Sequence, residues 1–336
     1  MSQAKKAMVL GIGGQDAAYL SKLLLAKGYA VVGTSRDATL ANHAGLAALG
    51  IDGAVQVVSM APTDFRSVLQ TVRRHAPDEI YHLAGQSSVG LSFDQPVETI
   101  ESIAIGTLNV LESIRFVERP IRLYHAGSSE CFGDTGGPPA TESTPFHPRS
   151  PYAVAKACAH NLVANYREAY GMFACTGILF NHESPLRPER FVTQKIVRAA
   201  ARIAAGTGET LKLGNLDIHR DWGWAPDYVD AMWRMLQQPE PEDLVIATGR
   251  TVSLGYFVER AFATFGLDWV RHVTSDPSLL RPSDIRWGAA DPSYAFQKLA
   301  WRPALDVDGV VDALCAHASR SVDCSPKAPI SPLQPP

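Results

Sequence analysis

The stretch "KAMVLGIGGQDAAYLSKLLLAKGYAVVGTS", residues 6–35, decides the fold. An apolar run of strand length ends in a glycine-rich turn, Ala, Leu and Tyr then recur at helical spacing, and a second apolar run follows Gly28. Short apolar runs joined by an amphipathic helix make a βαβ unit, whose strands lie parallel. At the junction Gly11, Gly14 and Ala17 stand in a G-x-x-G-x-x-A spacing. Small residues there let the chain turn tightly and bring the free N–H groups and dipole of a helix N-terminus to a pyrophosphate. A purely structural turn is the alternative, and the place of the cluster between a first strand and a first helix speaks against it.

Outward from this unit the alternation continues. A helical "LANHAGLAALG" (40–50), "AVQVVS" (54–59), "DFRSVLQTVRRH" (64–75) and "EIYHLA" (79–84) are followed by a helix expected over about 97–117. A strand ending at Ala126, a helix over 151–170 and the strand "ACTGILF" (174–180) complete the series. The expected fold is α/β: a Rossmann-type doubly wound parallel sheet with a smaller, discontinuous α/β substrate lobe. We expect residues 1–180 and 221–250 to form the dinucleotide-binding domain and 181–220 with 251–320 the lobe. The proline-rich end, 321–336, is expected to be a disordered tail.

Composition narrows the partners. The 336 residues are 46% hydrophobic and 19% charged, enough to bury a sizeable core. A net charge of −3 without a basic block argues against nucleic acid, so a small molecule is the expected partner. The N-terminus lacks a signal-peptide pattern and no run is long and apolar enough for a membrane helix, which leads us to expect a cytoplasmic protein without membrane contact. Five cysteines without a C-x-x-C pair suit reduced thiols, and no metal site is expected.

The end of the second strand speaks to cofactor choice. An NAD enzyme usually places an acid there, whereas "VVGTSRD" offers Ser35 and Arg36, which favours the 2′-phosphate of NADP. An ordinary surface arginine is the alternative, and the adjacent Asp37 is an unhelpful charge.

"SPYAVAKACAHN" places Tyr152 and Lys156 four apart at a helix start, on one face. A free tyrosine titrates near ~10, and a neighbouring ammonium favours its phenolate. Ser128 follows the apolar run "IRLYHA" (121–126) at a strand end. With the glycine-rich turn, Ser128, Tyr152 and Lys156 resemble the set of the short-chain dehydrogenase/reductase superfamily in its extended form. That resemblance implies that Tyr152 removes a hydroxyl proton, Ser128 holds the oxygen, and Lys156 binds the nicotinamide ribose and tunes the tyrosine.

Glu130, in "AGSSECFGD" (126–134), adds a carboxylate that a plain alcohol dehydrogenase does not need. A ketone at C4 of a sugar acidifies the C5 proton, which a base can take, and the acid so formed can help water leave from C6. Hydride return to C6 would then close a redox-neutral cycle.

Longer strings, among them "PDEIYHLAGQSSVGLSF", "YREAYG", "LFNHESP" and "MLQQ", resemble the GDP-mannose 4,6-dehydratase family over about residues 8–303. The resemblance implies an NADP-dependent lyase of deoxysugar biosynthesis acting on a GDP-sugar. It implies a catalytic set of Ser128, in place of a usual threonine, with Glu130, Tyr152 and Lys156. The cofactor would be held by Gly11, Gly14, Gln15, Asp16, Arg36, Asp64, Leu83 and Ala84 together with Tyr152 and Lys156. The substrate would be held by Ser87, Asn181, Val192, Lys195, Arg220, Arg281 and Asp284. Cations drawn from three segments, Lys195, Arg220 and Arg281, suit a diphosphate.

Departures from the family pattern are also present. "SMAPTDF" keeps one of two expected aspartates, Asp64, which alters adenine recognition; "ATLANHAG" replaces a serine-rich loop of a tetramer contact. A homodimer through the helices near 97–117 and 151–170 is expected, with a tetramer in doubt. Leu186, Pro188, Arg190, Trp224 and Pro226 are unusual residues near the expected sugar pocket, and Asp284 is one methylene shorter than the family's glutamate. These changes resemble dehydratases of GDP-manno-heptose, which stays open beside the slightly favoured GDP-mannose. An NADPH-dependent 4-keto-sugar reductase or epimerase is the nearest other enzyme. A non-catalytic NADP sensor would be expected to have a broken Tyr/Lys/Ser set. Trp222 and Trp224 are assigned to packing, and His125, His182 and His219 receive no catalytic role.

Overall fold

The computed structural model describes residues 4–40 and 43–321; the expected tail at 321–336 lies, from 322 on, outside the described residues. In chain order the elements begin β1 (Lys6–Leu10), α1 (Gln15–Ala26), β2 (Ala30–Ser35), α2 (Ala44–Ala48), β3 (Gln56–Ser59), α3 (Phe65–His75) and β4 (Glu79–His82). Next come α4 (Val89–Asp94), α5 (Pro96–Ile100), α6 (Gly106–Val117), β5 (Arg122–Ala126), α7 (Pro151–Tyr170), β6 (Ala174–Leu179) and β7 (Asn181–Glu183). The remainder are α8 (Val192–Ala204), β8 (Leu211–Leu213), β9 (His219–Trp224), α9 (Ala225–Gln237), β10 (Leu244–Ile246) and β11 (Thr251–Ser253), then α10 (Leu254–Thr264), β12 (Val273–Ser275), α11 (Ser293–Leu299) and α12 (Val307–Ser321).

Seven strands form one sheet in the order β10-β6-β5-β4-β1-β2-β3, every neighbouring pair parallel. The chain therefore reverses its direction of winding between β1 and β4, and the crevice at the carboxyl ends of those strands is where such sheets receive ligands. Strands covered on both faces must be apolar throughout, and β6, "ACTGIL", is buried at every position. One face packs on α1, α9 and α11 and the other on α3, α6 and α7.

A second core joins α8, α10 and α12 with Trp222, beneath two small sheets, β11-β9-β7 and β12-β8. Trp222 is almost fully buried there and Trp224 packs at its edge. The lobe has a different outline from the one expected for 251–320. Ala295, Leu299 and Trp301 return to the first core, because Trp301 donates Nε1–H to Asp227 O at 3.0 Å and packs edge-on to Tyr228.

The single helix expected over about 97–117 is instead α5, a π turn at Glu101–Ile105, and α6. The wider turn seats Ile103 against Tyr152 of α7, and Ser102 Oγ accepts from Gln86 N–H at 3.3 Å. A local insertion of this kind often lies beside a functional site.

Asp221 fastens the two lobes together. Fully buried on β9, it accepts from Thr248 N–H (3.0 Å), Thr248 Oγ1–H (2.8 Å) and Gly249 N–H (2.7 Å) at the end of β10. Asp221→Ala leaves these buried donors unpaired, and the expected cost is about 3 kcal/mol of stability. Urea unfolding of the two proteins checks this; equal midpoints would refute it.

Candidate active site

The first turn is shaped to admit a pyrophosphate. Gly11 has φ +85°, and a Cβ there would lie 2.9 Å from Ala84 Cα, so only glycine lets the turn lie against the end of β4. Gly11 and Ile12 donate their N–H groups to Thr34 O at 3.2 and 3.0 Å, which closes the turn on β2. Gly14 caps α1 without a side-chain bond, so the first N–H groups of α1 have no capping side chain. Leu83 and Ala84 line the facing edge, with Leu83 N–H on Leu10 O at 3.2 Å. These features fit a nicotinamide dinucleotide.

Gln15 and Asp16 are placed by another contact as well. Gln15 Nε2 donates to His182 O (3.0 Å), and the Asp16 carboxylate meets His182 Nε2 at 3.0 Å. Arg36 stands exposed at the end of β2, with its guanidinium 3.7 Å from Glu98 of α5. Asp64, an expected cofactor residue, caps α3: its Oδ1 accepts from Arg66 N–H (2.9 Å) and Ser67 N–H (3.4 Å). The carboxylate is drawn to the helix because "TDF" supplies an N-cap.

Local sequence also sets the catalytic residues. Ser150 caps α7 by accepting from Ala153 N–H (3.1 Å) and Pro151 occupies the first turn, so Tyr152 and Lys156 fall on successive turns. Lys156 Nζ donates to Ala126 O at 2.7 Å, at the tip of β5, and lies 5.9 Å from the Tyr152 ring centre. Burial lowers Lys156 to about 8, against the pull of the Asp16 carboxylate. Burial also raises the Tyr152 phenol, and its hydrogen bond with Ser128 opposes the rise. Ser128 Oγ in turn accepts from Glu130 N–H at 3.3 Å.

Glu130 sits on the 3₁₀ turn Ser129–Phe132, directly after the serine. Burial raises its proton affinity, Arg220 and Arg281 pull it down, and Asp284 pushes it up. Arg220, buried on β9, and Arg281 each lie 3.5 Å from the Asp284 carboxylate. The segment carrying Arg281 and Asp284 is strapped down: Thr135 N–H donates to Trp287 O (2.8 Å), Arg286 N–H donates to Asp134 (2.9 Å), and His219 stacks on Trp287 at 3.9 Å. Ser128, Glu130, Tyr152, Lys156, Arg220, Arg281 and Asp284 are thus gathered from two lobes.

The other expected substrate residues lie on separate elements. Ser87 is exposed before α4, and Asn181 opens β7 opposite Trp222. Val192 and Lys195 lie on α8; Lys195 Nζ donates to Lys212 O (2.7 Å) and lines a cleft of about 590 Å³ with Arg190 and Lys212. Leu186 packs against the first core near Ala18 and Gly45. Sequence reasoning gave no role to His182, whose partner Asp16 lies 166 residues away, so spacing carries no signal of the pair. Among the described residues there is no group of three or more possible metal ligands.

The family profile described as GDP-mannose 4,6 dehydratase matches residues 8–314. GDP-mannose 4,6 dehydratase 2 of Arabidopsis thaliana is 44% identical, over 91% of this chain and 85% of its own length. GDP-mannose 4,6-dehydratase of Vibrio cholerae is 43% identical, over 93% and 92%. Among solved structures, the UDP-glucose 4-epimerase of Thermotoga maritima with UDP-glucose aligns at TM-score 0.85 and 20% identity, covering 95% of this chain and 100% of that one. The dTDP-glucose 4,6-dehydratase of Bacillus anthracis in complex with NAD aligns at 0.82 and 18%, covering 94% and 97%. These structures share the fold.

Proposed function

The chain belongs to the GDP-mannose 4,6-dehydratase family, and from that premise we propose how its own residues carry out the reaction. The activity is dehydration of GDP-mannose, which yields the 4-keto-6-deoxy sugar and makes the enzyme a lyase in our reading. A bound nicotinamide supplies the acceptor for hydrogen from C4 and the donor for C6. Tyr152 takes the C4 hydroxyl proton while Ser128 Oγ holds that oxygen and Lys156 favours the phenolate. Glu130 takes the C5 proton and passes it to the C6 hydroxyl, which departs as water. The proton held by Tyr152 returns to C5, so both groups finish as they began. Arg220 and Arg281 bind the diphosphate, with Asp284 aligning them. Ser87, Asn181, Val192 and Lys195 extend the GDP-sugar site.

The observation that carries this reading is Glu130: a carboxyl whose proton affinity burial raises, two residues from the Ser128 that bonds Tyr152 and within the field of two arginines. Product mass after incubation with GDP-mannose and catalytic cofactor tests it, and a product without loss of water would sink it. The relatives named above are dehydratases of GDP-mannose, which favours the hexose over the heptose.

We read the cofactor as NADP, supported by Arg36 at the tip of β2. Glu98 competes with a 2′-phosphate for that arginine. Glu98→Gln is therefore expected to tighten NADP binding about twofold to fivefold, with little change for NAD; equal effects on both dinucleotides in a binding titration would refute it.

We also propose a homodimer, supported by the exposed apolar side chains Leu91, Val97, Ile105 and Val154 on α4, α5, the π turn and α7. Sedimentation as a monomer at micromolar concentration would refute it. Among the described residues no helix is long and apolar enough to cross a membrane. The cytoplasmic assignment rests on Cys131, Cys158, Cys175 and Cys315 being free; fractionation of cells checks it.

A further inference from the structure

We propose that His182 is a positioning residue of the dinucleotide site: an imidazolium held between the Phe180 carbonyl and the Asp16 carboxylate, it cancels the charge of Asp16 in the first turn of α1, and its deprotonation weakens dinucleotide binding. This rests on the reading that the N-terminus of α1 receives the pyrophosphate of the nicotinamide cofactor.

The geometry sets the protonation state. His182 Nδ1 lies 2.8 Å from Phe180 O and Nε2 lies 3.0 Å from Asp16 Oδ2. A carbonyl and an ionised carboxylate only accept hydrogen bonds, so each ring nitrogen carries a hydrogen. The ring is 7% exposed and stacks on Tyr228 at 4.5 Å with planes 24° apart, which leaves water little room to replace either partner. Burial opposes the charge on His182, yet Asp16 holds the proton on it above the usual histidine range; Asp16 is held below the usual carboxylate range although burial opposes this.

The surrounding charges are few. Arg187 disfavours the proton on His182 and favours ionised Asp16, while itself lying 3.3 Å from Glu183. Tyr228 covers the ring, and Tyr124 and Lys156 feel the field of Asp16 from β5 and α7.

The pair also joins two ligand sites. Gln15 Nε2 donates to His182 O (3.0 Å), Ser184 Oγ donates to Gln15 Oε1 (2.8 Å), and Gln194 Nε2 donates to Ser184 O (2.9 Å). The turn that receives the pyrophosphate is thus tied to α8, which carries Val192 and Lys195. With the imidazolium in place the first turn of α1 presents N–H groups and no net side-chain charge. Without it, a bare carboxylate faces the incoming anion. A histidine whose folded proton affinity exceeds its unfolded value contributes fully below the ordinary range, and the contribution is lost as pH rises through the folded value.

The test uses the full chain. Imidazole nitrogen chemical shifts of the labelled protein, with His182→Gln to assign the signal, report whether both nitrogens are protonated at neutral pH. NADP dissociation constants are measured from neutral to alkaline pH for the wild type and for Asp16→Asn, whose amide can donate to a neutral Nε2. Expected are a doubly protonated ring, a wild-type affinity that falls about tenfold more than that of Asp16→Asn across the titration of His182, and a shift of that titration to higher pH on saturation with NADP. Asp16 also supports the charge on Lys156, so the fall in affinity is assigned by matching its midpoint to the His182 titration read from the imidazole nitrogen shifts. A neutral ring at neutral pH, parallel profiles, or an unshifted His182 titration would overturn the proposal while leaving the cofactor reading intact. Failure of the wild type to bind either NADP or NAD at neutral pH would overturn both.

Discussion

Glu130→Gln is expected to lower the turnover of GDP-mannose to dehydrated product by about 10²–10⁴-fold, the usual share of a positioned acid–base group. The amide keeps the shape of the side chain and the neighbouring contact of Ser128 with the residue 130 backbone N–H, so folding is not the variable. The defect falls on one stage. Hydrogen can still leave C4, because Tyr152, Ser128 and Lys156 remain, and reduced cofactor with a 4-keto hexose should build up on the enzyme. Mass spectrometry of the sugar and the absorbance of reduced nicotinamide report the two stages separately. Dehydrated product at near wild-type rate would remove Glu130 from the mechanism.

Tyr152→Phe should cost a similar factor, about 10²–10⁴-fold, but at the earlier stage. Without the phenol, the C4 hydroxyl has no acceptor for its proton; Ser128 is a poor substitute, because a serine hydroxyl is a far weaker acid–base group at neutral pH. No reduced cofactor should accumulate, which distinguishes this variant from Glu130→Gln. Burnt-in structural damage is a lesser concern, since the ring packs with Ile103, Ala155 and Ala159 and phenylalanine preserves that packing. Rapid-mixing absorbance of reduced nicotinamide under single turnover checks it, and a wild-type amplitude and rate would refute the role.

What could be read beforehand was local. Residues 6–35 state their fold because strand, turn and helix each leave a pattern within a few residues. Tyr152 and Lys156 are legible for the same reason, since helical spacing alone puts them on one face. The π turn at Glu101–Ile105 was not legible: no Pro or Gly lies within it, Gly106 after it fits an ordinary helix as well, and Ile103 finds its place against Tyr152, a contact 49 residues further along the chain by number. The cap that Asp64 forms on α3 was not singled out, because a lone aspartate before a helix reads as a ligand as readily as a cap. Arg220, Arg281 and Asp284 were found through family resemblance, since their meeting depends on the strap formed by Thr135 and Trp287. His182 escaped altogether, because two acceptors around one ring exist only after folding.

The return of residues 293–301 to the first core bears on how this enzyme can be rebuilt. Trp301 lies across Asp227 and Tyr228, and the Asp227 carboxylate also accepts from Ala304 N–H at 2.9 Å, so the chain re-enters the nucleotide half after leaving it. A chimera that swaps everything beyond residue 250 for a relative's sugar lobe takes the floor out from under α9 and exposes its apolar side. A graft confined to 254–290 leaves that floor in place. The practical unit of exchange in this scaffold is an internal cassette with two seams, and a library built on a single crossover would discard the parent's own foundation.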